Sequence, residues 1–339
     1  MENIKLQKYK LGGIICKNVF KKLKNKIIKK NVTNVQTLTS LGNTLIMEEY
    51  KEQIKNYENL KPLIKNVSVA FPTCISLNNC VGYYIYEPDN NDYNIIKSND
   101  LIKIELGINI DDCINIFGKS FYFTHNIDLQ KDKYIKLLDK LENKITKLVN
   151  TNSTNIDIQT LIESYCTEYN CFPVENTFSY QHLDQHIQTD DSKYIVTNHC
   201  KYYDEYDNLI VNQDISFDLS ENDVFTINLT IIPNKEDDNE HIYNELHQPH
   251  IYKFNEYYHN FKLGSSKEFY SFIKKTHGFN VFPMTDYYSN VKYRIGLKES
   301  LDNGLLIPYP VLYNKEKLPV FFKKFTIIVG KEKGFNLTL

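Results

Sequence analysis

Two stretches, AFPTCISLNNC at residues 70–80 and IKIELG at residues 102–107, decide how this chain folds. Both sit in strand-forming sequence. Residues 67–77 and 101–116 are rich in Val and Ile with partial alternation, which predicts two strands. The polar cluster EPDNNDY at 87–93 predicts a turn between them.

Working outward, Leu11, Ile15, Val19, Leu23 and Ile27 recur every four residues, widened by Ile14 and Phe20. Residues 5–30 therefore read as an amphipathic helix. Its polar face is filled by Lys17, Lys21, Lys22, Lys24, Lys26, Lys29 and Lys30, with no acidic residue between Glu2 and Glu48. The apolar stripe would cover a sheet while the lysines face out as a solvated or phosphate-facing surface. Helices are further expected at 134–149, at 153–169 with a cap near Asn155, and at 266–276. Residues 187–223 are polar and loop-like, and 235–240 form an acidic turn. A strand is expected at 223–233, and a final strand pair at 304–313 and 320–329. This order is mixed α+β.

At 339 residues the chain can bury a large core, as one big domain or two smaller ones. Its net charge of −2 gives no global attraction to nucleic acid or membrane, so any such contact must come from a local patch. No run of about 18 apolar residues predicts a membrane span, and the N-terminus lacks the apolar segment of a signal peptide. Cys16, Cys74, Cys80, Cys113, Cys166, Cys171 and Cys200 include no CxxC pair and read as free thiols in a reducing compartment. Arg294 is the only arginine. Phosphate contact through lysine lacks the bidentate fork of arginine, so it would be salt-sensitive rather than base-specific.

KYKLGG (8–13), AFPTCISLNNC, IKIELG, RIG (294–296) and PYPVLYNKE (308–316) occur in an order that resembles the methionine aminopeptidase superfamily. The type 2 branch reads AFPTGCSLNNC and then VKIDFG. The resemblance runs over nearly the whole chain and is nearest to the non-enzymatic relatives called proliferation-associated (growth-factor-receptor-binding) proteins. It implies an α+β pita-bread fold: pseudo-twofold antiparallel sheets flanked by helices. Residues 1–240 and 301–339 would form that domain, and 241–300 a helical insert subdomain.

The resemblance also implies where a di-metal site would lie. Such a site needs several carboxylates and a His. The first Asp ligand falls at Glu105 and the second at Ile116, which cannot ligate. Neighbouring Asn115 would need a one-residue slip that turns it to the other face. The His ligand falls at Tyr180, or at His182 with a one-residue insertion. The two Glu ligands fall at Asn228 and Lys324, and the separate catalytic His at Tyr83. An ammonium in a dication's place repels it and pairs with a carboxylate, so a Lys324–Glu105 ion pair is expected. The resemblance therefore implies no catalysis, no metal and no cofactor.

His182 and His186 are spaced like ligands on a helix, but the intervening residues lack a zincin's Glu, and a solvated pair is expected. Glu240, His241, Glu245, His247 and His250 read as a surface loop, and Cys74 as inert core. No glycine-rich phosphate loop is present. In the insert, Lys253, Lys262, Lys267, Lys274 and Lys275 alternate with Tyr252, Tyr257, Tyr258, Phe261, Phe269 and Tyr270. That pattern suits either RNA contact or a small aromatic core.

The resemblance implies binding to the large ribosomal subunit, its rRNA and exit-tunnel proteins, near the nascent-chain exit. It implies a monomer without membrane contact, cytoplasmic and also nuclear or nucleolar. Lys17, Lys21, Lys22 and Lys24 join the insert's lysines as candidate rRNA contacts. Residual metal-dependent aminopeptidase activity, and a protein-interaction scaffold using the former substrate cleft, are the alternatives.

Overall fold

The computed structural model describes residues 3–87, 91–124, 132–174, 177–183, 186–187, 192–197, 201–203, 209–211, 216–233, 243–245, 248–255, 259–285 and 287–338. The expected acidic turn and Cys200, His241, His247, Tyr257 and Tyr258 lie outside the described residues.

The lysine-rich N-terminal segment forms α1 (Asn3–Lys30), and Asn34 then caps α2 (Val35–Gln53) by accepting the Thr37 N–H at 2.8 Å. The first half of the sheet follows: β1 (Val67–Leu77), β2 (Leu101–Ile110) and β3 (Cys113–Tyr122). The expected single strand at 101–116 is thus two, joined by a two-residue hairpin. Asp111 and Asp112 both take the left-handed conformation, with φ of 46° and 66°, as such turns require. The Asp111 carboxylate locks the turn by accepting the Asn66 N–H and pairing with Lys8 at 2.8 Å.

The second half starts with α3 (Lys133–Leu148) and α4 (Asn155–Tyr169). Thr154 and Asp157 form a capping box at the start of α4, and Asn170 closes it in the left-handed region. Strands β4 (Ser179–Leu183) and β5 (Val224–Pro233) follow, with β9 (Phe321–Ile328) arriving last. These strands belong to one ten-stranded antiparallel sheet with the central order β1-β2-β3-β9-β5-β4.

One face of this sheet is covered by helices. Leu11, Ile15, Val19 and Leu23 of α1 pack with α2 on Ile102, Ile104 and Leu106 of β2. Leu137, Leu141 and Ile145 of α3 pack with α4 on β5 and β9. Close approach of α1 requires Gly12, where a Cβ would lie 2.2 Å from Asn115 Nδ2. Asn115 therefore faces α1, on the side of the sheet away from the expected ligand positions.

The segment expected as an insert contains β6 (Ile251–Phe254), α5 (Gly264–His277), β7 (Phe282–Pro283) and α6 (Val291–Asp302). Its three-stranded sheet is completed by β8 (Leu306–Tyr309), which pairs with β6. The expected final strand pair is therefore not a pair: β8 joins the insert, while β9 joins the main sheet between β3 and β5. That three-stranded sheet draws its strands from both sides of residue 300. Alternation alone does not say which partner a strand finds.

Candidate functional site

The face of the main sheet turned away from the helices carries two adjoining rows of buried side chains. Along the first, Cys74, Glu105, Gly118, Lys324 and Asn228 are successive cross-strand partners. The second runs through Gly107, Ile116, Thr326, Thr226 and Tyr180. Thr326 joins β9 to β3, accepting the Ile116 N–H at 2.9 Å and donating to the Ile116 carbonyl at 3.2 Å. Strand side chains alternate between faces, so register alone gathers Glu105, Ile116, Tyr180, Asn228 and Lys324 on one surface.

Lys324 Nζ donates to Glu105 Oε2, forming a buried ion pair two strands apart. Adjacent strands are about 4.8 Å apart, so the lysine arm must cross β3. Gly118 leaves it room. A Cβ there would lie 2.8 Å from the Phe322 ring and 3.3 Å from Glu105 Cβ. The second oxygen of Glu105 accepts the Tyr83 N–H at 3.0 Å. Burial works against the Lys324 charge, but Glu105 outweighs it and holds the ammonium above its ordinary pKa.

Tyr83 sits at φ 65°, a left-handed conformation costing on the order of 1–3 kcal/mol for a bulky residue. The surroundings hold it there. Lys324 Nζ lies 4.5 Å from its ring centroid, and Tyr309 and Phe71 pack at 5.1 and 6.0 Å. Burial pushes the Tyr83, Tyr180 and Tyr309 hydroxyls up, so all three are neutral phenols at neutral pH. Asn228 accepts from Thr230 at 2.9 Å through its amide oxygen.

A dication needs lone pairs from several anionic or imidazole ligands. These rows supply one carboxylate, whose two oxygens take Lys324 and the Tyr83 N–H, beside a sec-butyl side chain, an amide and a neutral phenol. The residues do not fit a two-metal centre. No cluster of three or more His, Cys, Asp or Glu able to hold a metal ion occurs among the described residues.

His182 is not a solvated residue. It is buried on β4, with Nε2 2.8 Å from Thr226 Oγ1, and burial lowers its pKa to about 4. Strand pairing places Leu183 opposite His186, so the spacing of the two histidines is that of a hairpin rather than a helix. His250 is likewise buried rather than in a surface loop, its Nδ1 accepting the Ile85 N–H at 2.9 Å. Cys74 is buried and its thiol is pushed up by burial and then by Glu105.

The candidate rRNA lysines divide. Lys17 is half-buried and Lys21 exposed on α1, while Lys262, Lys267, Lys274 and Lys275 are exposed on the insert. Lys22 instead pairs with Glu49 and Glu52 of α2. Lys24 lies 5.0 Å from the Phe121 ring centroid, half-buried. Lys253 is buried in β6 at 7% exposure and is no surface contact. Tyr252 and Phe269 are core residues of the insert, so the aromatic part of its pattern serves packing. Sequence reading missed Lys292, Arg294 and Lys298, which α6 exposes beside α5. It also missed Gly118 and Tyr309, whose roles depend on strand pairing.

The arrangement is a methionine-aminopeptidase-like scaffold whose inner rows hold one carboxylate already paired with a lysine. No protein-family model matches the chain. ERBB-3 binding protein 1 of Arabidopsis thaliana is 30% identical over 295 residues, covering 85% of this chain and 70% of that protein. The chain belongs to the family of ERBB-3 binding protein 1 and the proliferation-associated proteins. Among solved structures, a thermophilic Arx1 matches over 99% of this chain and 91% of its own, with a TM-score of 0.77 and 18% identity. Methionine aminopeptidase of Thermotoga maritima matches over 100% and 98%, with a TM-score of 0.57 and 10% identity. These likenesses give the chain the pita-bread fold.

Proposed function

We propose that this chain is a catalytically inactive aminopeptidase-like protein that binds the large ribosomal subunit near the nascent-chain exit. The observation that carries the loss of catalysis is the buried Lys324–Glu105 pair, which engages the one carboxylate of the ligand rows. Titration with cobalt or manganese is expected to give no stoichiometric binding. Tight uptake of two ions would overturn the reading.

Ribosome binding is supported by family membership and by charge segregation. Among the described residues between 262 and 302, Lys262, Lys267, Lys274, Lys275, Lys292, Arg294 and Lys298 are exposed, against exposed Glu268 and Asp302. A chain of net charge −2 thus carries a strongly basic face. Its contacts are lysine to phosphate, so binding weakens steeply as salt rises. The protein is expected to pellet with ribosomes at low salt and to be released at high salt, and Lys267→Gln/Lys275→Gln should release it at lower salt. Absence from the ribosome pellet at every ionic strength would defeat the proposal. Such a protein acts as a monomer in the cytoplasm, with passage through the nucleus or nucleolus.

A further inference from the structure

On the helix-covered face, β3 and β9 place Lys119 and Lys323 directly opposite each other. Like charges so paired repel. Asp139 of α3 holds both, with Oδ1 2.8 Å from Lys119 Nζ and 2.5 Å from Lys323 Nζ. Glu142 also pairs with Lys323, and its Oε1 accepts from Asn336 Nδ2 at 3.1 Å. Across from α3, α1 presents Lys17 and Lys21, one turn apart. Among the described residues neither has a carboxylate partner.

Between these walls is an open cleft of about 360 Å³. Lys17, Lys21, Lys119 and Lys323 line it together with Asp139 and Glu142. The two carboxylates are taken up by Lys119 and Lys323, which leaves two ammonium charges uncompensated. A phosphate monoester carries about −1.5 to −2 at neutral pH, so the surplus matches one such group. The volume falls at the lower end of small-ligand sites, about 300–1,000 Å³. Phe20 and Phe117, packed edge to face at 5.3 Å, give the cleft a rigid apolar wall. Beside the cleft, the Lys24 ammonium is disfavoured by burial and then by Lys119, with Asp139 acting against both.

We propose that this cleft between α1 and α3 seats a phosphate group, carried by a small phosphorylated molecule or by one link of a polynucleotide backbone. The seat lies on the opposite face of the sheet from the filled metal rows. It does not depend on the ribosome-binding reading, because phosphate alone tests it.

The test is titration of the full chain with inorganic phosphate, adenosine monophosphate and a short single-stranded RNA, each against chloride at equal ionic strength. Phosphate should bind saturably, and Lys17→Gln/Lys21→Gln should weaken it by at least about tenfold, as expected for charge-assisted hydrogen bonds. Equal binding of monophosphate and RNA marks a small-molecule site. Tighter RNA binding, with a salt slope falling by about 1 per lysine removed, marks a backbone site. Lys267→Gln/Lys275→Gln on the insert should leave phosphate binding unchanged even where ribosome binding is lost. No binding of any of the three probes, or equal binding by Lys17→Gln/Lys21→Gln, overturns the seat.

Discussion

Lys323 and Lys324 are neighbours in β9, yet the sheet sends them to opposite faces and to opposite fates. Lys324 is buried with Glu105, crosses β3 above Gly118 and lies against the Tyr83 ring. Lys323 faces α3, where Asp139 and Glu142 hold it at the base of a cleft open to solvent. Inside, the Glu105 carboxylate is matched by the Lys324 ammonium, and its second oxygen is taken by the Tyr83 N–H. Outside, cations outnumber carboxylates and two lysines remain free among the described residues. The same residue type is thus neutralised on one face and left available on the other.

Lys324→Ala gives the largest expected effect, because it strands Glu105 in the sheet. A buried charge left without its partner costs roughly 3–5 kcal/mol, measurable by urea unfolding. Replacing both partners, as in Lys324→Met/Glu105→Leu, should recover most of that loss. A single variant within about 1 kcal/mol of the parent would mean that water reaches Glu105, contrary to the closed inner face.

Acid should act next. His182 and His250 titrate at about 4 when folded against 6.5 unfolded, both because of burial. The unfolded chain therefore binds more protons between these values. The stability contributed by the neutral rings is complete above pH 6.5 and falls as pH drops toward 4. Between pH 6.5 and 5 the loss should be roughly 1.5 kcal/mol for each histidine. A flat urea midpoint across that range would contradict their burial. Lys324 has the opposite sense: its pKa is raised, so its contribution persists through neutral pH and is lost only in strong alkali.

Gly118→Ala comes third. The added methyl meets the Phe322 ring and Glu105 Cβ, and overpacking of this kind costs about 1–3 kcal/mol. Thermal unfolding would register it, and an unchanged midpoint would show that the lysine does not need the gap. Lys17→Gln/Lys21→Gln should change stability least, within about 0.5 kcal/mol as for surface sites. Calorimetry of that variant would sharpen the contrast, since a large loss would place those lysines among structural contacts instead.

Much of the inner face was legible in the sequence. The AFPTCISLNNC and IKIELG landmarks fixed the frame, and counting from them placed Ile116, Asn228 and Lys324 on the rows they occupy. The Lys324–Glu105 pair followed from charge alone. The Asp111–Asp112 hairpin was missed because its turn lacks the glycine that usually announces one. Helix α2 was missed because a mixed face of Thr, Ser and Asn dilutes its periodicity, and α6 because its exposed face carries Val291 and Ile295. The outer cleft could not be read at all. Lys119 and Lys323 meet only after β3 and β9, some two hundred residues apart, come into register.

The bridge above Gly118 also bears on how such a scaffold evolves. Replacing Lys324 with an acidic residue would set two buried anions facing each other, while Ile116 and Asn228 could lend neither charge nor lone pairs enough to hold an ion between them. Each first step toward a metal site here is thus uphill unless several substitutions arrive together. The lysine acts as a ratchet, and a chain built this way is freer to acquire new partners than metal-dependent chemistry.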